Sequence, residues 1–208
     1  MGYGTTRCLI LDAPVDPDAN FPVPDTGPDD PPDPYLRAEP ENGYFALETA
    51  LEGKPIEIQK RIVSGEVIPN AARISALRWE MPSDGEISAT FPTSPWFSAG
   101  GPTLYGGVIA WMAETVMGAA VYSTLGPGEV FGTLDMNVRF TRPAPIHSGD
   151  LSVTGNVQHR GRRLRIASAN VTNSEGKRVA MATSSALVVP GGIKALMRGW
   201  IPDQVLQA

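Results

Sequence analysis

A chain of 208 residues with 42% apolar side chains, 22 glycines and 20 prolines is long enough for one domain with its own core, and too rich in helix breakers for an all-helical bundle. Its net charge of −5 comes from the first forty residues, where eight acids face only Arg7 and Arg37, and the composition supplies no basic footprint joined to an aromatic or helical element that would read nucleic acid. No apolar run is long enough to span a bilayer, and the single cysteine, Cys8, excludes an intramolecular disulfide or a cysteine-built metal cluster. The expectation is a cytoplasmic protein with no metal and no nucleic-acid or membrane partner.

Residues 12 to 40 hold nine prolines among those acids. Lost backbone donors and self-repulsion predict a disordered or extended arm over residues 1–40, a solubilising extension or a tail that docks a partner. A short helical extension is expected over 41–71: apolar positions at mixed spacing from Tyr44 to Ser64, interrupted by Pro55, predict two short helices. From Ala72 the period changes to two. Ile74, Ala76 and Arg78 alternate with Ser75, Leu77 and Trp79, and after the turn Pro82-Ser83-Asp84-Gly85 the residues Ile87, Ala89 and Phe91 face one way, which predicts a hairpin. Pro92, Pro95, Gly100, Gly101 and Pro102 then impose a long irregular connection ending at Gly106-Gly107.

Val108 to Leu125 reads as one long helix, apolar on nearly every face and stopped by Gly126-Pro127; such a helix is expected to be surrounded by protein. Four strands follow as a meander. Leu134, Met136, Val138 and Phe140 alternate with polar residues, as do Leu151, Val153 and Val157, and the runs Leu164 to Thr172 and Val179 to Val189 are joined by Asn173-Ser174-Glu175-Gly176. Their links are too short for crossover helices. The fold class is therefore α+β, a mostly antiparallel sheet wrapped around a central apolar helix over residues 72–190, with residues 191–208 as a C-terminal tail.

Glu114 is the only charged residue of the long helix, with Ala110, Trp111, Met117 and Gly118 at helical offsets of three and four. An ionised carboxylate in such company needs a partner, a hydrogen bond or a ligand cleft. Two readings stay open: a base or nucleophile, or a structural acid bonded to an interface arginine or on a helix face that reaches solvent. Gly106 and Gly107 precede the helix, where missing side chains and free N–H groups suit a carbonyl oxygen gaining negative charge, or simply a tight turn. Residues 139–178 carry eight basic against two acidic side chains, and His159-Arg160-Gly161-Arg162-Arg163 occupies an expected hairpin tip that can take phosphate or serve as a solvated face.

Tyr105-Gly106-Gly107, six residues, then Glu114-Thr115, followed by Thr133-Leu134-Asp135-Met136-Asn137-Val138-Arg139-Phe140-Thr141-Arg142-Pro143 and Gly155-Asn156-Val157-Gln158-His159-Arg160-Gly161-Arg162-Arg163, resembles the hotdog-fold acyl-CoA thioesterases of the phenylacetate-degradation and 4-hydroxybenzoyl-CoA type. The resemblance covers about residues 72 to 190. It implies a hotdog domain that hydrolyses an acyl-CoA thioester, coenzyme A being part of the substrate and no separate cofactor being needed. Glu114 then attacks the thioester carbonyl or activates water, Gly106 gives an N–H to the thioester oxygen, and Arg160, Arg162 and Arg163 receive the nucleotide phosphates. It also implies a homodimer or a dimer of dimers, in which acid and glycine come from different subunits.

The chain departs from that pattern at Tyr105, where many members have histidine, and at Ala99, where they have asparagine or glutamine; the Tyr105 hydroxyl can still donate a hydrogen bond. Gly118 replaces a common polar residue and is expected to widen the acyl site. Trp96, Phe97, Gly107, Trp111 and Met117 are expected to line it with Gly118, which suits an apolar or aryl acyl group. The first 70 residues exceed the minimal domain and are expected to cap the site or the interface. Non-catalytic binding of acyl-CoA is the main alternative, followed by an interaction module using the acidic arm and by a hydratase.

Overall fold

The computed structural model describes Leu51 and residues 53–197; the acidic arm of residues 1–40 and the chain beyond residue 197 lie outside the described residues. Helix α1 (Pro55–Val63) begins on a proline after extended Lys54. At that first position the missing N–H has no helical acceptor to lose, so Pro55 opens a helix rather than interrupting one. The other helix expected before it falls largely outside the described residues.

Helix α2 (Asn70–Ser75) takes the place of the expected first strand. The short alternation there marks no buried face, since Ile74 is 75% exposed, and alanine-rich sequence after Pro69 favours a helical turn. It ends on Ala76 in the left-handed region (φ 52°), leaving only β1 (Arg78–Trp79) extended. The hairpin itself forms. β1 pairs antiparallel with β2 (Glu86–Phe91), and Ile87, Ala89 and Phe91 are buried as a single face. The turn is closed by a Ser83–Glu86 bridge with Gly85 at φ +87°, a conformation that side chains resist.

The remaining strands are β3 (Val130–Phe140), β4 (Leu151–Arg160), β5 (Leu164–Thr172) and β6 (Arg178–Val189). They form one antiparallel sheet in the order β1-β2-β4-β5-β6-β3. Only β4-β5-β6 is a meander. β3 pairs with β6, from Val130 opposite Val189 to Phe140 opposite Ala180, because the N-terminal hairpin already occupies the edge beside β4. A short helix, α4 (Gly192–Met197), follows β6 with Ile193 buried.

Helix α3 (Gly106–Ser123) lies across the concave face of this sheet. Its buried side, with Ile109, Met112, Val116, Met117 and Val121, meets sheet positions kept small by Ala167, Ala169, Ala180, Ala182 and Gly155. A Cβ on Gly155 would stand 2.8 Å from the Val116 carbonyl oxygen, so the helix backbone rests directly on the strand. Gly155→Val is expected to cost about 2 kcal/mol of unfolding free energy in a denaturant titration, because neither backbone can yield without moving the whole helix.

The helix is not enclosed on every side. Trp111, Glu114, Thr115, Gly118, Ala119 and Tyr122, which share one helical face, stay only half-buried. α1 packs on α3, bringing Gln59, Ile62 and Val63 beside that open stripe.

Candidate active site

Between the open stripe of α3, helix α1 and the sheet lies a cavity of about 630 Å³. Trp111 and Glu114 sit on its wall, with Ile62 and Gln59 of α1 and Phe131 and Thr133 of β3. Trp111 is fixed by an edge-to-face contact with buried Phe91, ring centroids 6.0 Å apart at 75°. Thr115 spends its hydroxyl on the Trp111 carbonyl at 2.8 Å, so it gives the cavity a methyl rather than a donor. Burial raises the proton affinity of the Tyr122 phenol, which keeps it neutral.

Glu114 forms no hydrogen bond or ion pair among the described residues, and it is one of the residues that line the cavity. Glu114 is thus half-buried beside an apolar cavity and bound to no arginine among the described residues.

Gly106 and Gly107 are the first two residues of α3 rather than a loop ahead of it, and Tyr105 is its N-cap. The Tyr105 carbonyl accepts from Val108 at 3.0 Å and Ile109 at 3.4 Å, leaving the Gly106 and Gly107 N–H groups without an acceptor among the described residues. Eight residues, an axial rise of about 12 Å, separate Gly106 from Glu114. Within one copy, then, the acid and these donors do not converge. The Tyr105 ring lies over Gly107, and its hydroxyl is exposed and makes no hydrogen bond among the described residues.

Of the other expected wall residues, only Gly118 is in the cavity. Met117 is 1% exposed on the buried side of α3. Trp96 is 70% exposed on a single 3-10 turn (Pro95–Phe97), and Phe97 packs on the core while its carbonyl holds the Tyr105 N–H at 2.8 Å. Gly107 is exposed at the helix start. Gly118 does line the cavity, but the Phe131 ring lies 3.3 Å from where its Cβ would stand and fills part of the space it frees. Ala99 is exposed in the connecting loop.

The basic turn divides in two. Arg160 grips Asp84 through both guanidinium nitrogens at 2.9 and 2.7 Å and also donates to the Thr124 carbonyl at 3.0 Å, tying the β4 tip to the first hairpin and to the end of α3. Its hydrogen bonds, with its charge behind them, hold the Asp84 carboxyl below the usual range. Arg160 is thus engaged in the fold rather than free for phosphate. Arg162 and Arg163 are exposed, and their guanidinium groups have no partner among the described residues. Arg165, 7% exposed, reaches the Thr124 hydroxyl at 3.2 Å and the Gly161 carbonyl, so two guanidinium groups neutralise the negative end of α3.

Sequence reasoning missed Gln59, Tyr122, Phe131 and Thr133 as wall residues. For Gln59 a signal existed: it occupies the same helical stripe as Pro55, Ile58, Ile62 and Val63, where an apolar residue belongs. Among the described residues no cluster of histidine, cysteine or acidic side chains is arranged to hold a metal ion.

Residues 101–180 match the family model described as Thioesterase superfamily. No curated protein matches the chain. Among solved structures, a phenylacetic acid degradation-related protein from Ralstonia eutropha shares 25% identity, with 62% of this chain and 97% of that one aligned at a TM-score of 0.57. A thioesterase from Haemophilus influenzae gives 21% identity, 72% and 94% coverage and 0.56; the PaaI protein of the E. coli phenylacetic acid degradation operon gives 19%, 66%, 96% and 0.58. With the strand order and the central helix already described, these likenesses show that the chain has a hotdog fold, within which residues 101–180 are similar to the Thioesterase superfamily.

Proposed function

We propose that the protein hydrolyses an acyl-CoA thioester to a carboxylic acid and coenzyme A, with Glu114 as its reacting group. The observation that carries this reading is the unpaired Glu114 carboxylate on the wall of a largely apolar cavity. In the proposed reaction the carboxylate takes a proton from water attacking the thioester carbonyl, or attacks that carbon itself to give a mixed anhydride that water opens. Either way the carbonyl oxygen gains negative charge and the coenzyme A thiolate leaves. The N–H groups of Gly106 and Gly107, with the positive end of α3 behind them, are the donors suited to that oxygen.

Because those donors stand about 12 Å along the axis from Glu114 of the same copy, a working site needs the helix start of a second copy. β3 supports such a homodimer. It is an eleven-residue edge strand with unpaired backbone groups, and Met136 and Phe140, on its helix-side face, are 37% and 53% exposed. Coenzyme A phosphates are assigned to Arg162 and Arg163, whose guanidinium forks are exposed and unengaged among the described residues.

The direct test offers the purified protein acyl-CoAs of graded size while free thiol is followed. Release of coenzyme A, fastest with medium or aryl acyl groups, supports hydrolysis; tight binding without thiol release favours a binding protein instead. Replacing both Arg162 and Arg163 by alanine is expected to raise KM about tenfold with kcat little changed, and to leave turnover of the matching pantetheine thioester unaffected. An equal loss on the pantetheine thioester would remove the phosphate assignment.

A further inference from the structure

Gln59 is a polar residue in the apolar stripe of α1, 5% exposed, and part of the cavity wall. Its Nε2 donates to the Ala119 carbonyl at 2.6 Å. That bond fixes the amide's orientation, because a carbonyl acceptor demands the NH2 group on its side. The opposite atom, Oε1, is buried and has no hydrogen-bond partner among the described residues. An acceptor shut away in this way is a standing cost to the fold, and such atoms in native proteins are normally met by a partner. Thr115 cannot serve, since its hydroxyl already bonds Trp111. Tyr122, on the same wall, makes no hydrogen bond with Gln59.

We infer that Gln59 is a specificity-determining residue that accepts a hydrogen bond from a hydroxyl or N–H group at the far end of the acyl chain. The inference rests on the thioester reading of the site. Five helical residues separate Glu114 from Ala119, a rise of about 7.5 Å, which a medium-length acyl chain covers between its carbonyl and its last atom. An acyl group ending in a methyl leaves Oε1 as it is, and one ending in a hydroxyl satisfies it; a site with an unmet polar group favours the ligand that completes it. The selectivity comes from the N-terminal extension, outside residues 101–180 that match the family. The extension therefore reads the acyl group as well as covering it.

The test separates recognition from chemistry. Binding of 6-hydroxyhexanoyl-CoA and hexanoyl-CoA is measured by calorimetry in Glu114→Gln protein, and turnover of both is measured with the unaltered chain. The expected result is about tenfold tighter binding of the hydroxylated ligand. Adding Gln59→Met, which keeps the length of the side chain and removes its oxygen, is expected to equalise the two by weakening only the hydroxylated one. The Ala119 carbonyl keeps its helical acceptor role, so the variant folds; the preference in Gln59-bearing protein is in any case decisive alone. Equal affinities there, failure of either ligand to bind, or a preference that survives Gln59→Met overturns the inference. Preference that depends on Gln59 without turnover keeps it and sinks hydrolysis instead, whereas turnover without preference does the reverse.

Discussion

Glu114→Gln is expected to lower kcat for acyl-CoA hydrolysis about a thousandfold while substrate affinity changes by less than about threefold. Glutamine has the shape of glutamate but neither accepts a proton at neutral pH nor forms an anhydride, so both routes stop together. The substitution is also structurally quiet. Glu114 has no partner among the described residues to be orphaned, and replacing a half-buried carboxylate by a neutral amide relieves desolvation rather than adding to it. Unfolding midpoints should therefore stay level or rise while thiol release collapses. Activity within tenfold of the unaltered chain would assign the chemistry elsewhere and leave Glu114 as a polar marker of the open helix face.

What the sequence reveals about this molecule depends on how far apart the interacting residues lie. Period-two stretches such as Leu164 to Thr172 became strands with their expected bounds, because alternation is a local property of a half-buried sheet. Strand order is not local. Nothing in β3 itself says that it must cross to the free edge beside β6, which is why a four-stranded meander was the natural reading.

The site shows the same division. Glu114 stands out because one charge in eighteen helical residues violates the pattern. The direction of its face does not, since a helix apolar on nearly every side carries almost no angular information. Met117 and Gly118 are both helical neighbours of the acid, yet Met117 turns into the core and Gly118 onto the cavity. By residue type alone Arg160 reads as a candidate for phosphate; its partner, Asp84, lies 76 residues earlier and only the folded hairpins bring them together. Gln59 was hidden differently, behind a proline taken for an interruption when it starts the helix.

Gly106→Pro is expected to lower kcat about a hundredfold, and to do so without breaking α3. Proline at the first helical position supplies the φ that the helix uses and removes only a donor that the helix leaves idle. Tyr105 before it is already extended at φ −63°, ψ 129°, the conformation a following proline requires. The Phe140 ring, 3.3 Å from the position of an added Cβ, lies at the exposed edge and can turn aside. The loss thus reports on the N–H group proposed to serve the thioester oxygen. Mixing this variant with Glu114→Gln then tests where that N–H acts. If donor and acid belong to one copy, every site in the mixture lacks one of them and activity stays at the sum of the two parents. If they belong to different copies, each mixed dimer joins an intact helix start to an intact acid in one of its two sites, and random exchange restores about a quarter of wild-type turnover. Recovery on mixing, dependent on the time allowed for subunit exchange, is the outcome required by the roughly 12 Å between Gly106 and Glu114 along a single helix.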